Sequence, residues 1–418
     1  MTISNPYSEA YVWLWLPGAT EPVVAGKLEA HGNKLRFNYG KRYLERADAI
    51  SIYHAELPLQ PGYIDPIKNL ELANCIRDAA PDAWGRRVMM NTKFGRQSSS
   101  LDSLQLDELT YLLKSGSDRI GALDFQHSPT MYEPRCSVNV SLDELLESAE
   151  RVEKGIPLTP ELDQALHHGS SIGGARPKAL IESDDKKFVA KFSSGSDIYS
   201  VVKAEFIAMR LAQLAGLNVA AVSLAQSSHK DVLLIERFDR NRTADDQWQR
   251  KMMVSALTIL ELHEHEARYA SYEALSHIIR QQFTDANATL KELFSRIVFN
   301  IFVGNTDDHA RNHAAFWDGK QLQLTPAYDI CPQSRSGGIA SQAMLIDGEH
   351  RESQLALCVK AAPTFHMSTD DALTIIQHQK EIIEKNWDAV CDEAQLTTVD
   401  KNVFWGRQFF NPYIFEGL

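Results

Sequence analysis

The sequence predicts an α+β fold in which a β-rich front portion precedes a mainly helical back portion. Short segments with alternating apolar and polar residues, beginning with the run YVWLWL, dominate the first part. From about residue 240, apolar residues recur at helical spacing in KMMVSALTILEL, SYEALSHIIRQQF and ATLKELFSRIVFNIFVG. We therefore expect two lobes, with a polar cluster in the back half.

The front portion contains a hairpin signal. Leu35, Phe37 and Tyr39 alternate with polar residues directly after a Gly-Asn dipeptide, which suits a tight turn between two strands. Helical spacing follows in NLELANCIRDAAPDAWGRRVMM and in LDSLQLDELTYLLKSG. We assign residues 1–135 to a β-rich N-terminal domain.

The middle portion combines strands with well-bounded helices. Ser141 and Glu144 form a capping box at the start of SLDELLESAERVEKG, and Gly155 follows its end. The glycine-containing segment SSIGGARPKAL then leads to a strand, KFVAKF, a helix, VVKAEFIAMRLAQLAG, and the strands NVAAVSL and DVLLIERF. We expect residues 136–240 to form a small lobe and residues 241–418 to form a helical lobe.

Composition narrows the class of protein. The 418 residues carry 43 Lys+Arg against 55 Asp+Glu, a formal net charge of -12, which argues against direct binding of nucleic acid by the bulk surface. The five cysteines are scattered and contain no CxxC pair, as is typical of a reducing cytoplasm. The N-terminus lacks a basic n-region, and no apolar run approaches the roughly 20 residues of a membrane span. We expect a soluble cytoplasmic protein.

The main chemical signal is a polar cluster in the back portion. Asp307 and Asn312 follow a hydrophobic helix, and AAFWDGKQLQL after them predicts a hairpin with Asp-Gly at its turn. Because a hairpin brings its outer ends together, we expect Asn312 to lie beside Asp329. In phosphoryl transfer an Asp accepts or orients the proton of the attacking hydroxyl, while an Asn and a second Asp hold Mg²⁺. The spacing predicts Asp307 as the catalytic residue and Asn312 and Asp329 as Mg²⁺ ligands.

Two other interpretations of this cluster stay open. A loop rich in Asp and Asn can serve only to cap helices and form turns. His309 and His313 are spaced i, i+4, as in some zinc sites, but a zincin has Glu after the first His, where this chain has Ala310. His263 and His265 could likewise bind a metal or simply stand at a solvated helix end.

The other half of a kinase site is expected upstream. Lys191, at the end of KFVAKF, can contact nucleotide phosphates, and Glu205 on the next helix is placed to form an ion pair with it. Gly173 and Gly174 let main-chain N–H groups approach phosphates, and Lys178 adds charge. Each feature alone could be an ordinary surface side chain, turn or strand. Their order along the chain predicts a two-lobed protein-kinase-like fold.

The chain also resembles the HipA family, the serine/threonine kinase toxins of HipA/HipB toxin–antitoxin modules. The resemblance rests on GNTDDHARN and TPAYDICPQ, with support from PDAWGRR, DRIGALDF, SSIGGARPK and LLIERFDR. It implies ATP and Mg²⁺ as cofactors, and autophosphorylation of a loop serine, Ser171 or its neighbour Ser170, that switches the kinase off. The ATP-binding residues that it implies are Lys191, Glu236, Phe238, Asp239, Gly173, Gly174, Lys178 and His309.

The resemblance further implies partners. These are a HipB-like helix-turn-helix antitoxin, through which DNA is reached indirectly, and a protein substrate, an aminoacyl-tRNA synthetase. We therefore expect an ATP-dependent serine/threonine protein kinase that acts as a toxin. The alternatives are a small-molecule phosphotransferase, which does not require the long β-rich front, and an inactive pseudokinase corepressor that works with a DNA-binding partner.

Overall fold

The computed structural model describes residues 7–94, 106–135, 140–159, 162, 171, 174–183, 185–195, 197–228, 230–335 and 337–418. The chain divides into two compact units. The first unit comprises Met1–Ser196, Ala225–Val254 and Trp317–Lys320, and the second comprises Asp197–Leu224, Ser255–Phe316 and Gln321–Leu418. The finer division into three domains expected from the sequence stays a prediction.

The first unit begins with a five-stranded sheet. Its strands are β1 (Glu9–Leu14), β2 (Val23–His31), β3 (Lys34–Tyr39), β4 (Tyr63–Ile64) and β5 (Leu123–Gln126), in the order β4-β3-β2-β1-β5. His31 pairs with Lys34 across a two-residue turn, and Gly32 in that turn has φ +63°, so the predicted hairpin is confirmed. The helices of this unit are α1 (Lys41–Leu44), α2 (Asn74–Arg77), α3 (Ala83–Phe94), α4 (Glu108–Lys114) and α5 (Leu142–Glu153).

A second sheet of the first unit carries the predicted strand lysine. It contains β6 (Lys178–Ser183), β7 (Lys186–Phe192), β8 (Val222–Ser227) and β9 (Lys230–Glu236), in the order β6-β7-β9-β8. A short hairpin of β10 (Arg240–Arg242) and β11 (Trp248–Arg250) follows.

One face of this second sheet packs on helices α3 and α5. Ala179, Ala190 and Phe192 from the strands form one core with Trp84 of α3 and Leu145 of α5. Trp84 also donates its indole N–H to the carbonyl of Lys178 at 2.9 Å. Because side chains alternate along a strand, residues next to the buried alanines project from the opposite face of the sheet.

The second unit is mainly helical, as the sequence predicts. Its helices are α6 (Val201–Leu214), α7 (Ala256–Ile259), α8 (Tyr272–Gln282), α9 (Ala286–Phe302), α10 (Leu355–Ala361), α11 (Thr369–Glu393) and α12 (Thr398–Phe404), with 3₁₀ turns at Glu264–Tyr269, Ala362–Phe365 and Pro412–Phe415. Three short strands are also present among the described residues: β12 (Met253–Ser255), β13 (Ala314–Trp317) and β14 (Leu322–Leu324).

Helix α9 leads into the polar cluster, and its end is closely packed. Gly304 has φ +65°, and a Cβ there would lie 2.3 Å from the carbonyl oxygen of Gln408. The N–H of Phe410 also donates to the carbonyl of Phe302 at 2.9 Å. Only glycine therefore fits where the chain leaves α9 and enters the loop that contains Asp307.

The predicted hairpin after the cluster is present with a longer turn than expected. Strands β13 and β14 are joined by residues 318–321, and the N–H of Thr325 donates to the carbonyl of Ala314 at 3.0 Å. Gly319 takes φ +96°, and the Asp318 carboxylate accepts from the N–H of Lys320 at 2.8 Å. Only Gly319, and not Asp318, takes the positive φ that a two-residue turn would require of both.

Candidate active site

The loop between α9 and β13 brings Asp307 and Asn312 together. The side-chain amide of Asn312 donates to the main-chain carbonyl of Asp307 at 3.1 Å. Two main-chain hydrogen bonds of 2.8 Å lie within the same loop. The N–H of His309 donates to the carbonyl of Asp307, and the N–H of Asn312 donates to the carbonyl of His309. Because the Nδ2 atom of Asn312 is used as a donor, its Oδ1 atom is the atom left for a ligand.

Asp329 lies beside this loop in the second unit. The phenol of Tyr328 donates to the carbonyl of Arg311 at 2.7 Å, and Asn305 Nδ2 lies 3.5 Å from the carbonyl oxygen of Asp329. Asp329 has φ +58°, in the left-handed region that non-glycine residues seldom adopt. Such backbone strain tends to be found at functional sites.

The electrostatics of Asp307 also place Asp329 near it. Asp307 is exposed at one side, yet partial burial by its surroundings raises the pKa of its carboxyl. His309 acts in the opposite direction, while the carboxylates of Asp329 and Asp308 add to the increase. A nearby carboxylate that raises the pKa of Asp307 in a partly desolvated loop is an arrangement that a cation could stabilise.

A buried network next to these residues was missed by the sequence analysis. Asp308 accepts hydrogen bonds at Oδ2 from the phenol of Tyr272 and from Nε2 of His313, the latter at 3.0 Å. All three side chains are buried, and the rings of Tyr272 and His313 meet edge to face at 5.5 Å. Burial would raise the pKa of Asp308, but His313 and Tyr272 lower it below its ordinary value. Asp308 is therefore a carboxylate held inside the protein.

These contacts do not support the interpretation of the cluster as a zinc site. Within the described ranges, no group of three or more His, Cys, Asp or Glu side chains is placed to hold a metal ion. His313 uses Nε2 toward Asp308, and the Nδ1 atoms of His309 and His313 are buried without a hydrogen-bond partner among the described residues. Asp307, Asn312 and Asp329 offer two carboxylates and one amide oxygen instead. That donor set suits a hard cation such as Mg²⁺.

The predicted phosphate-contacting lysines are neighbours in the first unit. Lys178 of β6 pairs directly with Lys191 of β7, so their side chains project from the same face, opposite the buried pair Ala179 and Ala190. Both lysines are buried. A Cβ at Gly174 would lie 2.2 Å from Nζ of Lys178, so the glycine allows the ammonium group to approach the main chain. Contact of these two ammonium groups with nucleotide phosphates stays a prediction.

Gly174 is itself fixed from both sides. Its N–H donates to the carboxylate of Asp82 at 2.9 Å, and its carbonyl accepts from the N–H of Trp84 at 3.0 Å. Gly173 and Ser170, which the sequence also singles out, lie outside the described residues. Glu205 is buried on α6 of the second unit, and its ion pair with Lys191 stays a prediction.

Ser171 is also buried in the first unit. Its hydroxyl donates to the main-chain carbonyl of Asp118 at 3.3 Å. Glu236 is the last residue of β9 and pairs with Phe188 of β7. Its carboxylate accepts a hydrogen bond from the ammonium group of Lys186 at 2.7 Å. Phe238 follows in the turn before β10, and adenine contacts at both positions stay predictions.

Asp239 has a structural role that the sequence analysis did not foresee. Its carboxylate accepts from Nε and Nη2 of Arg237 at 3.0 and 2.8 Å, from Arg240 at 2.8 Å and from the N–H of Gly121 at 2.8 Å. Burial would raise its pKa, but Arg237 and Arg240 lower it to about 2. Both carboxylate oxygens are used in these bonds, and the expected ATP contact of Asp239 stays a prediction.

The same arginines also bind a second carboxylate. Arg237 and Arg240 reach Asp118 at 3.0 and 2.8 Å, and Lys187 joins them at 3.0 Å. Burial would raise the pKa of Asp118, but the surrounding cations hold it well below its ordinary value. The quoted motifs DRIGALDF and LLIERFDR therefore meet in one buried ion-pair network. In the sequence, only the acidic and basic residues that both motifs contain indicated this ion-pair network.

No helix among the described residues is long and apolar enough to cross a membrane.

Comparison with known proteins identifies the family of the chain and a solved structure with the same fold. Residues 170–387 match the family model of the HipA-like C-terminal domain, and residues 19–126 match that of the HipA N-terminal domain. A serine/threonine-protein kinase toxin HipA of Shewanella oneidensis is 25% identical in an alignment of 205 positions that covers 43% of this chain and 47% of that protein. A putative kinase, Y4mE, of Sinorhizobium fredii is 30% identical in an alignment of 135 positions that covers 30% of this chain and 31% of that protein. The chain thus spans less than half the length of both relatives.

A solved structure resembles the chain over nearly its full length. It is the complex of HipA, HipB and operator DNA from Shewanella oneidensis MR-1, with a TM-score of 0.66 at 17% identity, covering 94% of this chain and 93% of that one. At this identity the likeness shows the fold. The predicted kinase-like α+β class is confirmed.

Proposed function

Because this chain belongs to the HipA family, we propose that it is an ATP-dependent serine/threonine protein kinase and the toxin of a toxin–antitoxin module. The observation that supports the proposal is the bond between Asn312 and Asp307, with the Asp329 main chain beside the same loop of the second unit. The buried pair of lysines on the first unit's sheet supports it.

Asp307 is the residue that we assign to catalysis. Its carboxylate is exposed, so it can accept or orient the proton of a serine hydroxyl on a bound protein. The raised pKa makes it a better proton acceptor than an ordinary aspartate.

Asn312 and Asp329 would hold Mg²⁺, which when bound neutralises charge on the transferring phosphoryl group. Asn312 is oriented for this by its bond to the carbonyl of Asp307, which leaves Oδ1 available. Lys191 and Lys178 would bind nucleotide phosphates, with Gly173 presenting a main-chain N–H group and Gly174 leaving room for the Lys178 ammonium group. His309, Glu236 and Phe238 would complete the ATP contacts, and Glu205 would steady Lys191.

We propose Ser171, with Ser170 as its alternative, as the site of autophosphorylation. The Ser171 hydroxyl is buried and bonded to Asp118, so the serine must leave this position before it can accept a phosphoryl group. A phosphate there would add close to two negative charges at a buried position, which opposes return to the same position.

The proposed partners follow from the relatives. The solved complex contains HipA, HipB and operator DNA, and we propose a HipB-like antitoxin as partner and DNA contact through it. The net charge of -12 fits a protein that reaches DNA through a partner. An aminoacyl-tRNA synthetase is the proposed substrate.

Labelling with radioactive ATP tests the proposal. Incubation with Mg²⁺ and [γ-³²P]ATP should place label on Ser171 or Ser170, located by mass spectrometry of the digested protein. ATP binding without any label would favour the corepressor alternative. Transfer to an aminoglycoside but to no protein would favour the small-molecule phosphotransferase.

A further inference from the structure

We infer that Asp308, His313 and Tyr272 form a clamp that sets the distance between Asp307 and Asn312, and that these three are positioning residues for phosphoryl transfer. The inference rests on the proposed function, because it assigns the clamp a role in that reaction. The resemblance gives these three residues no role, and the sequence pattern considered only His313, as a possible zinc ligand.

The clamp is defined by its place in the chain. Asp308 directly follows Asp307, and His313 directly follows Asn312. The 3.0 Å bond between Asp308 Oδ2 and His313 Nε2 therefore joins the two residues that stand next to the two functional ones. With the bond from Asn312 Nδ2 to the carbonyl of Asp307, the loop is closed twice across the same span.

Tyr272 ties this closure to the helical body. Its phenol donates to the same Oδ2 atom of Asp308, and it is the first residue of α8. Its own N–H donates to the carbonyl of Leu345 at 2.9 Å. His313 is held from the other side, because its carbonyl accepts from the N–H of Ala256 at 2.7 Å. Both ends of the clamp are thus attached to rigid elements of the second unit.

Burial explains why such a clamp is stiff. The exposed fractions of Tyr272, Asp308 and His313 are 0%, 3% and 2%, so water cannot readily replace a broken bond among them. In a desolvated setting a hydrogen bond to a charged carboxylate is strong, and leaving it unmade is costly. Asp307, next in the chain, is by contrast exposed. The two adjacent carboxylates thus have different roles: Asp308 holds the loop in place, and Asp307 contacts the substrate.

The test compares variants that break the clamp with one that preserves it. His313→Leu and Asp308→Leu remove the bond, whereas His313→Gln keeps an amide donor near the position of Nε2. Tyr43→Phe in the first unit is the control, since Tyr43 is a buried tyrosine whose phenol donates to the carbonyl of Ile50 at 2.7 Å and does not belong to the clamp.

Loop exchange and phosphoryl transfer are measured on each full-length variant. The first is the hydrogen–deuterium exchange of residues 307–313, and the second is the rate of phosphoryl transfer from saturating [γ-³²P]ATP. Calorimetry gives the ATP affinity of each variant as a check on binding. We expect faster exchange and a transfer rate about 10- to 100-fold lower for both leucine variants, with ATP affinity within about threefold of wild type. His313→Gln should stay near wild type in both measurements, and the double leucine variant should be no slower than either single one.

Two results would overturn the clamp. One is exchange in residues 307–313 that rises no more in the leucine variants than in Tyr43→Phe. The other is a transfer rate that falls equally in His313→Gln and His313→Leu. Wild-type protein that transfers no phosphate would contradict the proposed function instead, and the exchange data would still decide whether the clamp exists.

Discussion

The side chain of Asn312 is bonded to the main chain of Asp307, five residues earlier, at 3.1 Å. This contact converts a loose spacing in the sequence into one fixed geometry. Because the amide nitrogen is the donor, the amide oxygen and the Asp307 carboxylate are both left for other partners. Asp329 contributes a further carboxylate from the segment after the hairpin. The following predictions test this arrangement and the structure around it.

Replacement of Asn312 should weaken the use of Mg²⁺. In Asn312→Ala the proposed ligand oxygen and the loop bond are both lost, so the Mg²⁺ concentration for half-maximal phosphoryl transfer should rise about 10-fold or more. A Mg²⁺ titration of the initial rate measures it. Asn386→Ala is the control, because Asn386 also donates to a main-chain carbonyl, that of Ile382 on α11, at 2.8 Å. An unchanged Mg²⁺ requirement in Asn312→Ala would remove Asn312 from the ligand set.

Single-serine variants should identify the modified residue. We expect Ser171→Ala to lose the label from [γ-³²P]ATP, and Ser170→Ala to keep it, because Ser171 is the position that the resemblance matches. Quantitative mass spectrometry of the peptide that contains both residues measures it. Ser128→Ala, at a half-buried position, controls for loss of a hydroxyl elsewhere. Label that persists in Ser171→Ala and disappears in Ser170→Ala would transfer the assignment to the neighbour.

Glu56 should make stability depend on pH. Its carboxylate is buried and accepts from the N–H groups of Asn74 and Cys75 at 3.0 and 2.7 Å. Burial raises the pKa of Glu56 from 4.5 to about 7. The folded protein thus holds a proton on Glu56 at pH values where the unfolded chain has lost it. Stability from this group is present below about pH 4.5 and declines as the pH rises to about 7.

Urea unfolding at pH 5 and pH 8 measures this effect. Relative to Glu56→Gln, the wild-type free energy of unfolding should fall by about 3 kcal/mol between these pH values. Glu349→Gln, at an exposed position, should show the pH dependence of the wild type. If the wild type and Glu56→Gln change in parallel from pH 5 to pH 8, Glu56 does not titrate in this range.

Gly304→Ala should destabilise the second unit. An alanine there would adopt φ +65° and place its Cβ 2.3 Å from the Gln408 carbonyl, so we expect a loss of about 2 to 4 kcal/mol in the free energy of unfolding. Chemical denaturation followed by fluorescence measures it. Gly337→Ala is the matched control, since its Cβ would meet no described atom within 4 Å. Equal stability of the two variants would contradict the close packing at the end of α9.

The sequence predicted local features well. The capping box of Ser141 and Glu144 is present with both of its bonds, at 2.9 and 3.2 Å, because such a motif needs only residues within one turn. The β2–β3 hairpin is likewise set by its own turn. Asp307, Asn312 and Asp329 were expected together because a hairpin constrains the distance between its ends.

Long-range contacts explain what the sequence analysis missed. Asp239 was expected only as an ATP-binding residue, and its bonds to Gly121, more than a hundred residues away, and to two arginines were not foreseen. Tyr272 and Asp308 are 36 positions apart, and no periodicity indicates that they meet. Buried polar partners of this kind depend on how elements pack, which spacing along one chain does not specify.

Asp307→Asn tests the central assignment most directly. The measurement is phosphoryl transfer from [γ-³²P]ATP beside calorimetric ATP binding, with Asp370→Asn at an exposed position of α11 as control. We predict that Asp307→Asn binds ATP within about threefold of wild type but transfers phosphate at least about 100-fold more slowly, whereas Asp370→Asn behaves as wild type. Phosphoryl transfer at the wild-type rate by Asp307→Asn would contradict the account.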